Sequence, residues 1–227
     1  METFVRRAVA RPLRFAALIA GAGVLASCSV NVPDPEVTTP TPPPSVLATP
    51  TITPGHDADA VAAKDLPLKA GKTLAAGVPV EISDGLREVP GWRVIQDKVQ
   101  GQSRFARKDG CEVTTRLSLN QGALAVAGDD KASTEKLFAY LDPSIAADSL
   151  KAETLRWGGD DDKPRRAVEV LAFNPRPAGG KAFSVMARLF ATAGSSAYFA
   201  VVCPSPSALA GAKADVAKYL PLIPPGN

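Results

Sequence analysis

The segment from Ser29 to Pro54 limits most strongly what this chain can fold into. It contains eight prolines and six threonines in 26 positions, including the run "TTPTPPPSVLATPTITP". Proline lacks a backbone N–H and has a fixed φ, so such a composition disfavours both helices and sheet ladders and favours extended, polyproline-like chain. We therefore expect residues 28–64 to form a disordered tether and residues 65–227 to form a single globular domain.

The residues before the tether have the pattern of a secretory signal. Arg6, Arg7, Arg11 and Arg14 precede an uncharged run of 11 residues, Phe15 to Leu25. That run is shorter than the roughly 20 apolar residues that a membrane-spanning helix needs. The run ends in "LASC", Leu25 to Cys28, which resembles the bacterial lipobox. The resemblance implies cleavage after residue 27 and attachment of lipid to the thiol of Cys28. The alternative is an ordinary secretory signal in which Cys28 has no role.

A lipid-anchored protein of this kind is expected at the extracytoplasmic face of the bacterial cell membrane, because two acyl chains hold a domain stably without a spanning helix.

The signal contains four of the 26 basic residues and one of the 23 acidic ones, so the mature chain has 22 of each. Its net charge is then zero. The predicted partners are the membrane, through the N-terminal lipid, and a cell-envelope protein; no nucleic acid is expected, and the oligomeric state is left open.

The globular part has the pattern of an α+β domain. From Cys111 to Leu119 the odd positions are mostly apolar and the even positions polar, as in a half-buried strand. Five further segments predict strands: 78–82, 92–99, 167–173, 183–191 and 197–203. The last three are separated by turn residues and predict an antiparallel meander. We expect a mostly antiparallel sheet of five to seven strands, with two or three helices packed on one face.

Two segments have the signals of amphipathic helices. Ser133 or Thr134 can cap a first helix that places Leu137, Tyr140 and Leu141 on one face and ends at Asp142-Pro143. Ser207 can cap a second helix, and its apolar stripe is formed by Leu209, Ala212, Val216 and Leu220.

Once Cys28 carries lipid, Cys111 and Cys203 are the two cysteines that remain. Exported proteins meet an oxidising environment, and the two residues lie at opposite ends of predicted strands. If those strands are antiparallel neighbours, the start of one meets the end of the other. The pattern predicts a Cys111–Cys203 disulfide; the alternative is a pair of buried, unpaired thiols.

A search for catalytic patterns in the sequence identifies no active site. The single histidine, His56, lies in the tether, where nothing orients it against a nucleophile, and this argues against Ser-His-Asp, Cys-His and multi-histidine metal sites. The "GKT" at Gly71 lacks the first glycine of a P-loop. The run Asp160 to Asp162 lacks the spacing of a calcium loop, and it is interpreted as a solvated turn. We expect no enzyme activity, no cofactor and no metal, and we interpret Trp92 and Trp157 as packing residues.

The chain combines the lipobox, the Thr/Pro tether and the Pro90-Gly91-Trp92 turn, followed by strands, a helix, a meander and a final helix. In these features it resembles the actinobacterial cell-envelope lipoproteins whose domain is similar to PsbP. The resemblance covers roughly residues 76–222. It implies a non-enzymatic protein-docking or scaffold domain. The alternative function is a carrier that holds a lipid or another small apolar ligand between sheet and helix.

The lipid anchor can be tested directly. We expect the wild-type protein to leave membranes only with detergent, because two acyl chains hold it there. Cys28→Ala should either release the protein or leave its signal uncleaved, whereas Ser29→Ala should behave as the wild type. Membrane fractionation and intact mass measure both effects, and a wild-type protein found free in the medium with its tether intact would contradict the prediction.

Overall fold

The computed structural model describes residues 58–158, 166–177 and 179–224, which belong to one compact unit. The predicted signal peptide, Cys28, His56 and the Asp160–Asp162 run lie outside these residues. Three α-helices are present in the described part of the chain: α1 (Ala58–Ala62), α2 (Asp130–Leu141) and α3 (Pro206–Tyr219). Among these helices none has the length and apolar character needed to cross a membrane.

Nine strands form one curled sheet in the described residues. They are β1 (Glu81–Ile82), β2 (Trp92–Val99), β3 (Gln102–Arg107), β4 (Glu112–Ser118), β5 (Lys151–Trp157), β6 (Arg166–Phe173), β7 (Ala182–Phe190), β8 (Ser195–Cys203) and β9 (Leu222–Ile223). Their spatial order is β1-β9-β5-β6-β7-β8-β4-β3-β2. All neighbouring strands are antiparallel except β5 and β9. The α+β class and the mostly antiparallel sheet are thus confirmed.

The predicted count of five to seven strands is wrong, because β3, β5 and β9 were missed. β5 reads "KAETLRW" and carries only Leu155 and Trp157 as large apolar residues. β9 is two residues long and follows a proline. Neither strand has a periodic apolar pattern of its own, and each forms because a neighbouring strand supplies the other half of its hydrogen-bond ladder.

The other strand assignments hold, except that the predicted strand 78–82 forms only the two-residue β1. β6, β7 and β8 are consecutive antiparallel neighbours, as the predicted meander requires. In β4, Val113 and Thr115 are buried whereas Glu112 and Arg116 are exposed. The period of two along this strand therefore separates a core face from a solvent face.

The helices lie on opposite sides of the sheet, so the expectation of helices on one face is wrong. Along β7, Met186 and Phe190 belong to the same buried cluster as Val216 of α3. Ala187 and Leu189, which point the other way, pack with Leu137 and Phe138 of α2. Because successive residues of β6 and β7 are apolar, both faces of these central strands need a cover. We call the two sides of the sheet the α3 side and the α2 side.

The helix starts differ from the predicted caps by a few residues. α2 begins after Asp129, whose side chain accepts a hydrogen bond from the amide of Ala132 at 2.9 Å. Ser133 and Thr134 instead lie inside the helix. Their hydroxyls donate to the carbonyls of Asp129 and Asp130, each at 2.6 Å.

The second amphipathic helix, α3, is capped by Ser205 rather than Ser207. Its predicted stripe is confirmed, with Ala212, Val216 and Leu220 fully buried.

The chain packs against the domain earlier than the predicted boundary at residue 65. Val61, in α1, is buried, and its carbonyl accepts a hydrogen bond from Nε1 of Trp157 at 3.2 Å. A few residues later, Leu66 pairs in parallel with Val168 of β6. The segment after α1 thus extends one edge of β6, and the packed part of the chain includes the last residues assigned to the tether.

The structure contains the predicted disulfide between Cys111 and Cys203. Cys111 immediately precedes β4 and Cys203 ends β8; these strands are antiparallel neighbours in which Glu112 lies opposite Val202. The two Cα atoms are 4.2 Å apart, and both cysteines are buried. The bond therefore joins adjacent strands at one end of their ladder.

A buried ion pair joins β7 to α2. The side chain of Arg188 has no solvent exposure, and all its N–H groups have acceptors. Nε and Nη2 donate to Oδ2 of Asp130 at 2.9 and 2.6 Å. Nη1 donates to the carbonyls of Leu66 and Glu169 at 2.6 and 3.0 Å, and Nη2 also donates to the carbonyl of Pro67 at 3.0 Å. One side chain thereby connects β7, α2, β6 and the segment before β1.

The carboxylate of Asp130 also has hydrogen-bond partners at both of its oxygens. Oδ1 of Asp130 accepts the amide of Ala191 at 2.8 Å. One turn later in α2, the hydroxyl of Thr134 accepts the amide of Leu189 at 2.9 Å. Leu189 lies in the part of β7 that has no β6 neighbour, and Ala191 directly follows it, so α2 replaces the missing strand as hydrogen-bond acceptor.

We expect Arg188→Met to lower the free energy of unfolding by about 3–5 kcal/mol, because it leaves the carboxylate of Asp130 buried without a counter-charge. The double variant Arg188→Met/Asp130→Asn should recover part of this loss, since the asparagine oxygen can still accept the amide of Ala191. Urea unfolding measures both. Arg104→Met, which breaks an exposed pair with Glu112, is the matched control and should change the stability by less than about 1 kcal/mol. An Arg188→Met variant as stable as this control would contradict the prediction.

Candidate functional site

On its α2 side the sheet is only partly covered. Leu137 and Phe138 of α2 pack on Ala187 and Leu189 of β7, and all four are buried. Beyond β7, most side chains of β8 and β4 on this side are exposed or only half-buried, for example Tyr198 and Arg116, whereas Ser196 at the start of β8 is buried. A strip of sheet next to the helix is thus left accessible.

A groove of about 460 Å³ lies between α2 and this strip of sheet. The helix contributes one wall and the strands the floor. Its lining residues are Leu137, Tyr140 and Leu141 from α2, Thr114, Arg116 and Ser118 from β4, Ser196, Tyr198 and Ala200 from β8, together with Gln102 and Gln121.

The helix wall corrects part of the sequence prediction. Leu137 is buried as expected, but Tyr140 is 72% exposed and Leu141 is 48% exposed. Phe138 takes the buried position instead. At about 100° per residue, 134, 137, 138 and 141 follow one face of a helix, and Tyr140 lies beside that face rather than on it. The tyrosine ring therefore stands at the rim of the groove.

The floor of the groove carries a positive charge without a counter-charge. Arg116 lies directly opposite Tyr198 across the β4–β8 ladder. Within the part of the chain that the structure describes, its guanidinium has no hydrogen bond or ion pair, whereas Arg104 and Arg107 are paired with carboxylates at 2.9 and 2.7 Å. The residues that line the groove include no aspartate or glutamate.

Tyr198 provides a hydroxyl next to this charge. Its side chain is half-buried, and burial raises the pKa of its phenol above the ordinary value. The hydroxyl has no hydrogen-bond partner among the described residues. Since it stays protonated, it can donate a hydrogen bond to a bound group.

An apolar patch continues from the groove along the same side of the sheet. Phe183 and Val202 lie opposite each other on β7 and β8 and are 39% and 42% exposed. The ring of Phe173 meets that of Phe183 edge to face, with centroids 6.3 Å apart. Ala200 lines the groove and lies two residues before Val202, so groove and patch are contiguous. We call the surface formed by Tyr140, Leu141, Arg116, Tyr198, Ala200, Val202 and Phe183 the open face.

A larger groove, of about 800 Å³, lies on the other flank of α2 against β5 and β6. Several of the charged groups along it already have partners. Lys131 pairs with Glu135 at 2.6 Å, and the carboxylate of Glu169 accepts the amide of Leu68 at 2.8 Å. The charged groups that line this groove are of both signs, and most of them already have hydrogen-bond or ion-pair partners. It is therefore a weaker candidate for a binding site than the open face.

Both tryptophans are packing residues, as the sequence interpretation held. Trp92 and Trp157 are buried. Nε1 of Trp92 donates to Asp215 of α3 at 3.0 Å, and the same carboxylate pairs with Arg107 at 2.9 Å. These contacts attach α3 to β2 and β3 on the α3 side of the sheet.

The "GKT" segment also has a structural role. Gly71 lies against the loop before α2, where an added Cβ would be 2.8 Å from both Oδ1 of Asp130 and the carbonyl oxygen of Gly128. A side chain at this position would push against the buried ion pair. The glycine is thus required by a close approach of two backbone segments rather than by a phosphate.

Sequence reasoning did not identify the open face. The period of two along β4 placed Arg116 on the solvent side, but the register of β4 against β8 is needed to place it opposite Tyr198. The exposure of Tyr140 depends on how α2 is rotated over the sheet. The sequence signal for it was that apolar residues occupy both the even and the odd positions of β7 and β8, so that both faces of these strands are apolar.

In comparisons with known proteins, the sequence matches no protein-family model and no curated protein. The similarity to PsbP-like lipoproteins stays a prediction from the sequence.

The raised pKa of Tyr198 has a consequence at alkaline pH. The folded protein holds the phenolic proton more tightly than the unfolded chain does, so this group stabilises the fold below the ordinary tyrosine pKa near 10, and the contribution disappears as pH rises through the higher folded value. We expect the wild type to lose more stability above about pH 10 than Tyr198→Phe does. Thermal unfolding across this range measures it, and parallel curves for the two proteins would contradict it.

Proposed function

We propose that this protein is a membrane-anchored extracytoplasmic lipoprotein whose folded domain docks a protein of the cell envelope through the open face, without catalysis. The observation that carries the proposal is a run of exposed apolar side chains along one side of the sheet: Tyr140 and Leu141 line the groove, and Phe183 and Val202 continue from it beyond Ala200. Scattered exposed apolar residues are normal on a soluble domain, but a contiguous patch next to a groove is typical of an interaction surface.

The N-terminal sequence supports the membrane part of this proposal. The lipobox-like "LASC" ending at Cys28 and the Pro/Thr-rich tether are the arrangement expected for a domain held at a distance from the bilayer. The disulfide between Cys111 and Cys203 suits an oxidising compartment outside the cytoplasm.

The alternative function is a carrier for a lipid or another small apolar ligand. A carrier of this kind needs a largely apolar pocket. Between the sheet and α3, the described side chains Val216, Leu220 and Phe199 are fully buried against one another. The two grooves beside α2 are lined by polar and charged groups as well as apolar ones. These features favour docking over transport.

A photo-crosslinking amino acid placed at 140 or at 183 tests the docking surface in intact cells. We expect both positions to give cross-links to the same envelope protein, identified by mass spectrometry, because Tyr140 and Phe183 lie on one contiguous surface. Ala217, exposed on α3 at the other side of the sheet, is the matched control and should not capture that protein. Equal capture at all three positions, or at Ala217 alone, would show that the open face is not the docking surface.

A further inference from the structure

The chemistry of the groove on the open face defines the kind of partner it fits, and this inference rests on the proposed docking function. We propose that the groove binds an acidic segment of the partner protein, in which a carboxylate lies next to an aromatic or apolar side chain. Arg116 pairs with the carboxylate, and Tyr140, Leu141 and Tyr198 hold the neighbouring side chain.

The charge of the groove selects an anion. Arg116 is the single charged residue among those that line it, and no described carboxylate compensates it. Arg104, on the neighbouring strand, already pairs with Glu112 at 2.9 Å. A planar guanidinium with free N–H groups matches a carboxylate with two parallel hydrogen bonds, and the hydroxyl of Tyr198 adds a third donor.

The walls of the groove select what accompanies the anion. Tyr140 and Leu141 expose apolar surface on one side, and the ring of Tyr198 lies beside Arg116 on the floor. A ligand that offered only charge would leave these rings in water. An aromatic side chain next to the carboxylate would bury them and can pack edge to face against tyrosine.

The remaining lining groups favour a polypeptide. Thr114 and Ser118, both half-buried, place hydroxyls along the floor, and each can donate to or accept from the backbone of an extended segment. An anionic lipid surface is instead recognised by clusters of several basic residues. With a single cation, the groove is poorly equipped to recognise such a surface.

Fluorescence anisotropy with the full chain, purified from its membranes in a non-ionic detergent, tests the inference. The probe is a fluorescein-labelled peptide, Gly-Glu-Phe-Glu-Phe-Gly. Two control peptides replace its glutamates by glutamine or its phenylalanines by alanine. We expect each control peptide to bind at least about tenfold more weakly, because one lacks the carboxylates and the other the rings.

Two exposed positions provide the matched protein variants. Arg116→Gln should weaken binding of the acidic peptide at least about tenfold, whereas Arg176→Gln, which removes an equal charge from the exposed β6–β7 loop, should leave it within about twofold. Tyr140→Ala should weaken it as well, and its ring is exposed enough for the fold to tolerate the change. Unchanged thermal unfolding of all three variants confirms that the fold is intact.

Three outcomes would overturn the inference. Binding of the acidic peptide that is insensitive to Arg116→Gln would place the site elsewhere. Binding of the glutamine peptide as tight as that of the acidic peptide would show that charge is not recognised. Displacement of the peptide by phosphatidylglycerol added to the detergent micelles, but not by phosphatidylcholine, would show that the groove serves a membrane surface.

Cross-linking from position 183 separates failure of this inference from failure of the docking function. If Arg116→Gln leaves the cross-link to the envelope partner undiminished, the partner uses the open face without the groove, so this inference fails and docking stands. If peptide binding depends on Arg116 but no cross-link forms at 140 or 183, the acidic specificity of the groove stands and docking fails.

Discussion

The ion pair between Arg188 and Asp130 is the contact on which the arrangement of this domain depends. Beside the first half of β6, the segment around Leu66 takes the place of β7, so β6 and β7 do not pair there. The ion pair connects β7 to its surroundings at this point instead. A charge without solvent exposure is tolerated here because five N–H donors and both carboxylate oxygens have partners at 2.6–3.0 Å. Folding of the segment around Leu66, the sheet and α2 is thereby coupled.

The open face follows from where this contact holds α2. The ion pair attaches the first residue of the helix to β7, and Leu137 and Phe138 then pack on the same strand. The end of the helix consequently stands beside β8 rather than over it, which exposes Tyr140 and Leu141 at the groove. The disulfide joins β4 to β8 at one end, so the two strands that form the floor are held in register. A rigid helix wall and a cross-linked floor make a preorganised surface, which lowers the entropic cost of binding.

Particular elements show how far sequence patterns reach in this chain. The half-buried strand β4, the meander from β6 to β8 and the apolar stripe of α3 each have a periodic pattern within one segment, and each was predicted. The cysteines could be paired because their positions at strand ends follow from the same local pattern. Strand β5, with few apolar residues, and β9, with two residues in all, exist only through their neighbours and were missed. The placement of both helices on one face was also wrong, since the apolar residues at both parities of β7 require two covers.

What the sequence determined by itself is therefore what depends on local composition and period: the α+β class, and the strands and helices that have a clear apolar alternation. What only the tertiary structure decided are the relations between distant segments. Arg188 and Asp130 are 58 positions apart, and Arg116 meets Tyr198 only through the register of two strands. Pairing and register are set by the packing of the whole sheet, in which a shift of one residue would turn Arg116 towards the core, and no local pattern encodes that choice.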